Sequence, residues 1–132
     1  MPTTAFNTKE VAAGPDTIAP DGAEVRILCA TARGSMAVFT LPPGMVSRAV
    51  VHRTVEEIWY VTAGRGRMWR QLNGHEQICE LAAGLSLTIP VGTHFQFRCD
   101  GAAPLHAVAV TMPPWPGADE AQFVPGKWPS TT

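Results

Sequence analysis

The sequence predicts an all-β protein with a single domain, folded as a sandwich or barrel. The chain has 132 residues, a length at which one domain buries roughly two thirds of the surface that its unfolded chain exposes. Its 12 glycines and 12 prolines are spread along the chain and leave no sustained helical pattern. Short runs rich in β-branched and aromatic residues recur about every ten residues, which is typical of β-sandwiches and barrels.

Nine such runs predict the strands of the barrel. They cover residues 24–31, 35–41, 46–52, 57–62, 67–72, 77–81, 85–89, 95–99 and 105–112. Pro42-Pro43-Gly44 forces a turn after the second run. Asn73-Gly74 predicts a two-residue hairpin between the fifth and sixth runs, because both of its turn positions require positive φ.

The two ends of the chain are expected to lie outside the barrel, which takes residues 23–112. Residues 1–22 are polar and contain glycine and proline, so we interpret them as an arm over the barrel or over a partner subunit. Residues 113–132 hold five of the 12 prolines, which excludes a central strand. Trp115, Phe123 and Trp128 in this segment predict that it packs on the barrel as an extended strap.

Composition excludes several classes of partner. The formal charge is −1 and no run of Lys or Arg exists, so neither nucleic acid nor an anionic membrane is an expected partner. The longest uncharged stretches, such as 81–93, are too short and too rich in turn residues to span a bilayer, and no leader pattern opens the chain. Cys29, Cys79 and Cys99 form no CxxC pair, which favours reduced thiols. We therefore expect a cytoplasmic protein.

His52 is the histidine with the most suggestive setting. Metal and binding sites in β-barrels are built from imidazoles and carboxylates on neighbouring strands. Residues two apart on a strand share a face, so Val50 and His52 point together, as do Glu57, Trp59 and Val61 on the next strand. A short turn at residues 53–55 is expected to place His52 opposite Glu57.

Residues 44–64 resemble the first motif of the cupin family. That motif reads Gly, five residues, His-x-His, three or four residues, Glu, six residues, Gly. Gly44, His52, Glu57 and Gly64 match it at the required spacing. The first histidine of the pair is Val50 in this sequence.

Residues 84–99 resemble the second cupin motif, which reads Gly, five residues, Pro-x-Gly, two residues, His, three residues, Asn. Gly84, Pro90 and Gly92 match. The histidine position is Phe95 and the asparagine position is Cys99. The resemblance implies a small antiparallel jelly-roll barrel, usually a homodimer, with a pocket at the barrel mouth.

The departures from the motifs bear on the metal. Cupins that bind iron, manganese, nickel or zinc use the two histidines and the glutamate of the first motif and the histidine of the second. Val50 and Phe95 replace two of these four ligands, and neither carries a donor lone pair. We therefore expect no standard cupin metal.

The main hypothesis is a protein that binds a small organic molecule in a mostly apolar barrel pocket. Arg70 shares a face with Met68 on its strand, so it is expected to form either an ion pair with Glu57 or a binding fork for an acid. The expected pocket residues are Val50, His52, Glu57, Trp59, Met68, Arg70, Phe95 and Phe97.

Three alternatives remain open from the sequence. A divalent transition metal in an oxygenase or isomerase would need His52, Glu57 and a substitute ligand, either His94 or His106. A metal-free enzyme would use His52 as general acid or base, with Glu57 setting its tautomer and pKa. A dimer scaffold would have no pocket, because the residues around Val50 would close into solid packing.

Overall fold

The computed structural model describes residues 6–132, which form two antiparallel sheets and no α-helix. Residues 6–132 contain no helix that could span a lipid bilayer. The strands are β1 Thr17–Ile18, β2 Glu24–Ala30, β3 Ser35–Leu41, β4 Val50–His52, β5 Glu56–Ala63, β6 Arg65–Leu72, β7 His75–Ala82, β8 Ser86–Ile89, β9 His94–Cys99, β10 Leu105–Met112 and β11 Ala121–Phe123, with a 3-10 helix at Ala118–Glu120.

The strand order is that of a jelly roll. One sheet has the order β1-β2-β3-β10-β5-β8, and the other has the order β11-β4-β9-β6-β7. Most neighbours within each sheet are far apart in sequence, as in β10 between β3 and β5, so the two sheets are interleaved along the chain. The predicted all-β class and jelly-roll architecture are confirmed.

Each of the nine predicted runs contains a strand, but the prediction for residues 46–52 was too long. Only Val50–His52 forms a regular strand, and Val46 makes an isolated bridge to Arg98. Between them the Ser47 amide still donates to the Phe97 carbonyl at 2.9 Å, but the Phe97 amide donates to the Ser47 hydroxyl at 3.0 Å. A side-chain acceptor of this kind competes with regular backbone pairing.

The turns follow the residues that the sequence supplies. Asn73 and Gly74 have φ values of 52° and 76° and join β6 to β7, which confirms the predicted hairpin. Gly64, which ends the first motif, has a φ of 87° and lies against the loop between β9 and β10. A Cβ at this position would lie 2.4 Å from the Pro104 carbonyl oxygen, so the tight joint between β5 and β6 requires glycine.

The core lies between the sheets and follows strand alternation. Along β5 the buried residues are Glu57, Trp59 and Val61, while the residues between them are exposed. The largest of the fully buried side chains include Trp59, Phe95, Phe97, Leu41, Met68, Leu81, Ile89 and Leu105.

The segment before the barrel packs on its edge. The short strand β1 pairs with β2, and the side chain of Asp16 extends the contact by accepting a hydrogen bond from the Ile27 amide at 2.7 Å. The Asp16 amide in turn donates to the Val25 carbonyl at 2.8 Å. This pairing lays residues 17–21 along the open side of the barrel.

The segment after the barrel is anchored at its far end by Gln96, which is 1% exposed. The Gln96 side chain donates to the Trp128 carbonyl at 2.8 Å and accepts from the Lys127 and Trp128 amides at 2.9 Å. Gly126 allows the approach, because a Cβ there would lie 2.6 Å from Oε1 of Gln96. Strand β11 pairs with β4 at the edge of its sheet, where proline-rich neighbours are tolerated.

Glu120 forms the second anchor of this segment. Its carboxylate accepts hydrogen bonds from the Thr54 amide, from the Thr54 hydroxyl at 2.7 Å and from the Val55 amide at 2.8 Å. These donors hold the pKa of Glu120 below its usual value despite the opposing effect of burial. The carboxylate of the strap therefore stabilises the turn between β4 and β5 by accepting the hydrogen bonds of its amides.

Replacing Glu120 with alanine should destabilise the fold. The variant Glu120→Ala leaves the two amides of the turn without an acceptor, so we expect the free energy of unfolding to fall by about 2–4 kcal/mol. Denaturant unfolding of both variants measures the difference. The control Asp119→Ala removes the neighbouring exposed carboxylate and should change stability by less than about 0.5 kcal/mol; equal losses in the two variants would contradict this role of Glu120.

Candidate functional site

A cavity of about 390 Å³ lies between the two sheets, on the side that the arm and the strap cover. Most of its wall is aliphatic or aromatic. The polar side chains of the wall are Thr17, Asp21, Ser35, His52, Glu57 and Thr111. The hydroxyls of Ser35 and Thr111 are hydrogen-bonded to each other, so Thr17, the two acidic residues and His52 are the groups left to meet a ligand.

Five of the eight residues predicted for the pocket line this cavity. They are Val50, His52, Glu57, Trp59 and Phe95. Strands β4, β5 and β9 each turn the predicted face inward, and none of the five side chains is more than about 5% exposed. The turn at residues 53–55 brings β4 and β5 together as the spacing predicts.

The structure places the other three elsewhere. Met68 and Phe97 are buried in the core, and neither lines the cavity. The Arg70 guanidinium donates to the Thr88 carbonyl at 2.8 Å and to the Gln77 side chain, so it forms no ion pair with Glu57. The long side chain of Arg70 extends past the core to the edge strand β8, which alternation alone does not show.

His52 and Glu57 meet at the inner wall of the cavity. Nδ1 of His52 lies 3.1 Å from Oε2 of Glu57. The ring nitrogen is not aimed at that oxygen, so Nδ1 has no hydrogen-bond partner among the described residues. Oε1 of Glu57 accepts a hydrogen bond of 2.8 Å from the Trp59 indole. The carboxyl is thus fixed on one side, while the imidazole keeps an unused polar atom.

Aromatic rings surround this pair. The centroid of the His52 ring lies 5.1 Å from that of Phe95 and 5.0 Å from that of Trp115, and both contacts are edge to face. The ring of Trp59 packs against Phe39 and Phe97, at centroid distances of 5.5 Å and 5.0 Å. Edge-to-face contacts fix ring orientations, so the shape of the cavity is held by packing.

Burial keeps both members of the pair uncharged near neutral pH. It raises the pKa of Glu57 to about 8; the Trp59 hydrogen bond acts in the opposite direction, and the nearby Asp21 raises the pKa further. Burial lowers the pKa of His52 to about 4, against a weaker effect of Glu120. Burial also raises the pKa of Asp21, to about 6. At pH 7 the cavity therefore holds a carboxylic acid, a neutral imidazole and an ionised Asp21.

The sequence argument missed the rest of the wall, and three of the missed residues bear on the site. Phe39 lies on the inward face of β3 with Ala37, and alternation along residues 35–41 is a signal that would have found it. Trp115 was predicted only to pack on the barrel, and the structure puts its ring against His52. Asp21 belongs to the arm, and no pattern in the sequence indicates that it reaches the cavity.

The donor set at this position does not fit a metal centre. Val50 and Phe95 face the cavity where the resemblance to cupins calls for histidines, and His52 and Glu57 remain as the donors. Within residues 6–132 no group of three His, Cys, Asp or Glu side chains is arranged to hold a metal ion. One imidazole and one protonated carboxyl are too few ligands for a transition metal.

The two substitute ligands proposed from the sequence point elsewhere. His94 lies on the face of β9 opposite Phe95, beside Gln71 and outside the cavity. His106 lies between the buried positions Leu105 and Ala107 of β10, and its Nδ1 is 2.8 Å from the Thr40 hydroxyl. Neither imidazole joins His52 in the cavity wall.

The family model for the cupin domain matches residues 37–111. The chain belongs to the cupin family. Both motif segments lie inside the matched range, so the motif residues Gly44, Gly64, Gly84 and Gly92 are part of a cupin barrel. No curated protein sequence matches the chain.

Solved structures share the cupin barrel. BH2720 from Bacillus halodurans is 23% identical with a TM-score of 0.63, over 69% of this chain and 70% of that one. The capsular polysaccharide assembling protein CapF from Staphylococcus aureus is 18% identical with a TM-score of 0.65, over 82% of this chain. A variant of oxalate decarboxylase from Bacillus subtilis is 22% identical with a TM-score of 0.61, over 67% of this chain. This cupin spans 33% of CapF and 25% of oxalate decarboxylase, so the similarity shows the fold alone.

Glu57 should make the stability of this cupin fall between pH 6.5 and pH 8. The folded state keeps the Glu57 proton up to about pH 8, whereas the unfolded chain loses it near pH 4.5. Unfolding then releases a proton, so the free energy of unfolding decreases as pH rises, by on the order of 1 kcal/mol per pH unit. His52 titrates near pH 6.5 in the unfolded chain, so its slope of opposite sign fades above that pH and is small over most of the window.

Denaturant unfolding at several pH values in this window tests the assignment. The variant Glu57→Gln keeps an acceptor for Trp59 but cannot ionise, so its free energy of unfolding should be nearly independent of pH. The control Glu56→Gln changes the exposed neighbour on the other face of β5 and should keep the wild-type slope. If the free energy of unfolding of Glu57→Gln falls with pH as steeply as that of the wild-type protein, another group causes the pH dependence.

Proposed function

We propose that this cupin binds a small, largely apolar organic molecule in the cavity, where His52 and Glu57 orient it. The observation that carries the proposal is the cavity itself, about 390 Å³ of space within an otherwise packed barrel. Ligand sites of proteins are clefts of roughly 300–1,000 Å³ with apolar walls and a few convergent polar groups. A barrel that served as a scaffold would have packed this space solidly.

The polar pair supports the orienting role. Protonated Glu57 has a hydrogen to donate, and neutral His52 has one donor and one acceptor nitrogen. Nδ1 of His52 is buried and lacks a partner, which is costly unless a bound molecule supplies one. A hydroxyl, carbonyl or amino group on the ligand would satisfy it, and the rings of Phe95 and Trp115 would cover the apolar part.

Metal-dependent chemistry is not part of the proposal. Oxalate decarboxylase from Bacillus subtilis has Mn(II) centres, but two of the ligand positions of the motifs are Val50 and Phe95 in this chain.

Acid–base catalysis without a metal is a second candidate, favoured by one observation. At pH 7 Glu57 holds a proton next to an unprotonated His52, so a general acid and a general base face the same space. A substrate whose turnover is lost in His52→Gln would support this candidate, and unchanged turnover would remove it.

An uncharged fluorescent dye tests the binding proposal. We expect prodan, a neutral naphthalene dye that emits at shorter wavelength in apolar surroundings, to bind with saturation at one site per chain. The variant Ala37→Phe places a ring in the cavity and should weaken dye binding by about tenfold or more.

The matched control is Val38→Phe, which adds the same ring to the outer face of β3. This variant should bind the dye like the wild-type protein. Equal binding by both variants would place the dye outside the cavity, and an absence of saturable binding to the folded wild-type protein would contradict the proposal.

A further inference from the structure

The polar part of the cavity wall is acidic. Asp21 and Glu57 both line it, whereas no lysine or arginine does among residues 6–132. The two carboxyls are close enough for Asp21 to raise the pKa of Glu57. A third carboxylate, Glu120, lies behind His52 and acts on it electrostatically. A cavity that is lined by one sign of charge concentrates ligands of the opposite sign.

The acidic groups of the cavity lack counter-charges within the described part of the chain. Glu57 is 3% exposed and its polar contacts are the indole of Trp59 and the misaligned ring of His52. Asp21 accepts a hydrogen bond of 3.0 Å from the Ala23 amide, and no basic side chain of residues 6–132 forms an ion pair with it. Burying carboxyls in this way costs stability. Such a cost is typical of binding sites, where the ligand supplies what the empty protein lacks.

Two further features of the wall suit a cation. The rings of Phe39, Trp59, Phe95 and Trp115 all border the cavity, and the faces of aromatic rings attract positive charge. Nδ1 of His52 is buried without a partner at the same wall, and in neutral imidazole it can accept a hydrogen bond. An ammonium group has several hydrogens to donate and no lone pair, which is the complement of this surface.

We infer that the ligand of the cavity carries a positively charged nitrogen, as an amine or ammonium group, which lies among the aromatic rings and is balanced by Glu57 and Asp21. This inference rests on the proposed function and narrows it to one chemical class. An organic anion would meet two carboxyls and no basic side chain. An uncharged molecule would leave the charge of Asp21 without a counter-charge, as it is in the empty cavity.

Binding of a cation should also change protonation. A positive charge beside Glu57 favours its ionised form, so the carboxyl that holds a proton in the empty cavity at pH 7 releases it when the cation arrives. The groups that face Glu57 from neighbouring elements are His52 on β4 and Asp21 on the arm, with Glu120 of the strap behind His52. Asp21 is already ionised at pH 7, and His52 is a neutral imidazole whose remaining N–H does not titrate in this range, so the release reports on Glu57.

Three probes of one size separate the charge classes. Calorimetric titrations of the full chain at pH 7 with benzylamine, benzyl alcohol and benzoate compare a cation, a neutral molecule and an anion. We expect the protonated benzylamine to bind at least about tenfold more tightly than benzyl alcohol, and benzoate to bind most weakly. A proton that is released on binding is taken up by the buffer, so the observed binding enthalpy should differ between phosphate and Tris. The difference should correspond to release of up to one proton per benzylamine bound.

Variants assign the effect to the carboxyl. Glu57→Gln should remove most of the advantage of benzylamine over benzyl alcohol and all of the proton release. Glu56→Gln, on the exposed face of β5, should retain both effects. Asp21→Asn should reduce the advantage of benzylamine but retain proton release, which keeps the test informative if Glu57→Gln fails to fold.

The outcomes separate the inference from the proposed function. Benzyl alcohol or benzoate binding as tightly as benzylamine, in a manner that Ala37→Phe abolishes, would overturn the charge assignment and leave a ligand-binding cavity. Benzylamine binding without proton release, or with an advantage unchanged in Glu57→Gln, would also overturn it. If none of the probes and no prodan binds the folded protein, the proposed function fails and the inference fails with it.

Discussion

Glu57 and His52 are buried side by side inside the barrel, and among the described residues no group of opposite charge lies against either of them. Nδ1 of His52 lies 3.1 Å from Oε2 of Glu57, both residues are at most about 5% exposed, and the surroundings are mostly rings and aliphatic chains. Ionising either group there without a partner costs several kcal/mol, so the pair remains neutral. The Trp59 hydrogen bond, the edge-to-face contacts of His52 and the acidity of the cavity wall all depend on this arrangement.

The cavity exists because segments outside the central barrel close it. The arm places Asp21 along one side, and the strap places Trp115 against the ring of His52. The strap is held by two buried polar side chains, Glu120 and Gln96, whose hydrogen bonds go to backbone groups of the barrel and of the strap itself. Because these anchors are polar and specific, they fix the position of the strap more closely than apolar packing alone would.

Periodicity and turn chemistry predicted the barrel. Alternation along β5 placed Glu57 and Trp59 on one inward face, and the requirement for positive φ placed a hairpin at Asn73-Gly74. These features depend on neighbours within a few residues, so a single sequence contains them. The motif spacing then predicted that His52 of β4 and Glu57 of β5 lie together, which the structure shows.

The parts of the site that escaped prediction depend on contacts between distant segments. Asp21 and Trp115 reach the cavity from segments that no strand pattern directs there. Arg70 begins on the predicted face but its guanidinium ends at the Thr88 carbonyl, since a long side chain follows its nearest acceptors. The direction of His106 depends on pairing between β10 and β3, where Thr40 provides its partner.

The protonation state of Glu57 in the empty protein is the central claim, and it can be measured directly. Side-chain carboxyl carbons of glutamate, labelled with ¹³C, report ionisation in an NMR titration, and comparison with Glu57→Gln identifies the signal. The account predicts that the Glu57 signal titrates near pH 8, well above the usual value of 4.5. A midpoint near 4.5 would contradict it, because the cavity would then contain a charged carboxylate that the surrounding residues, and not a ligand, stabilise.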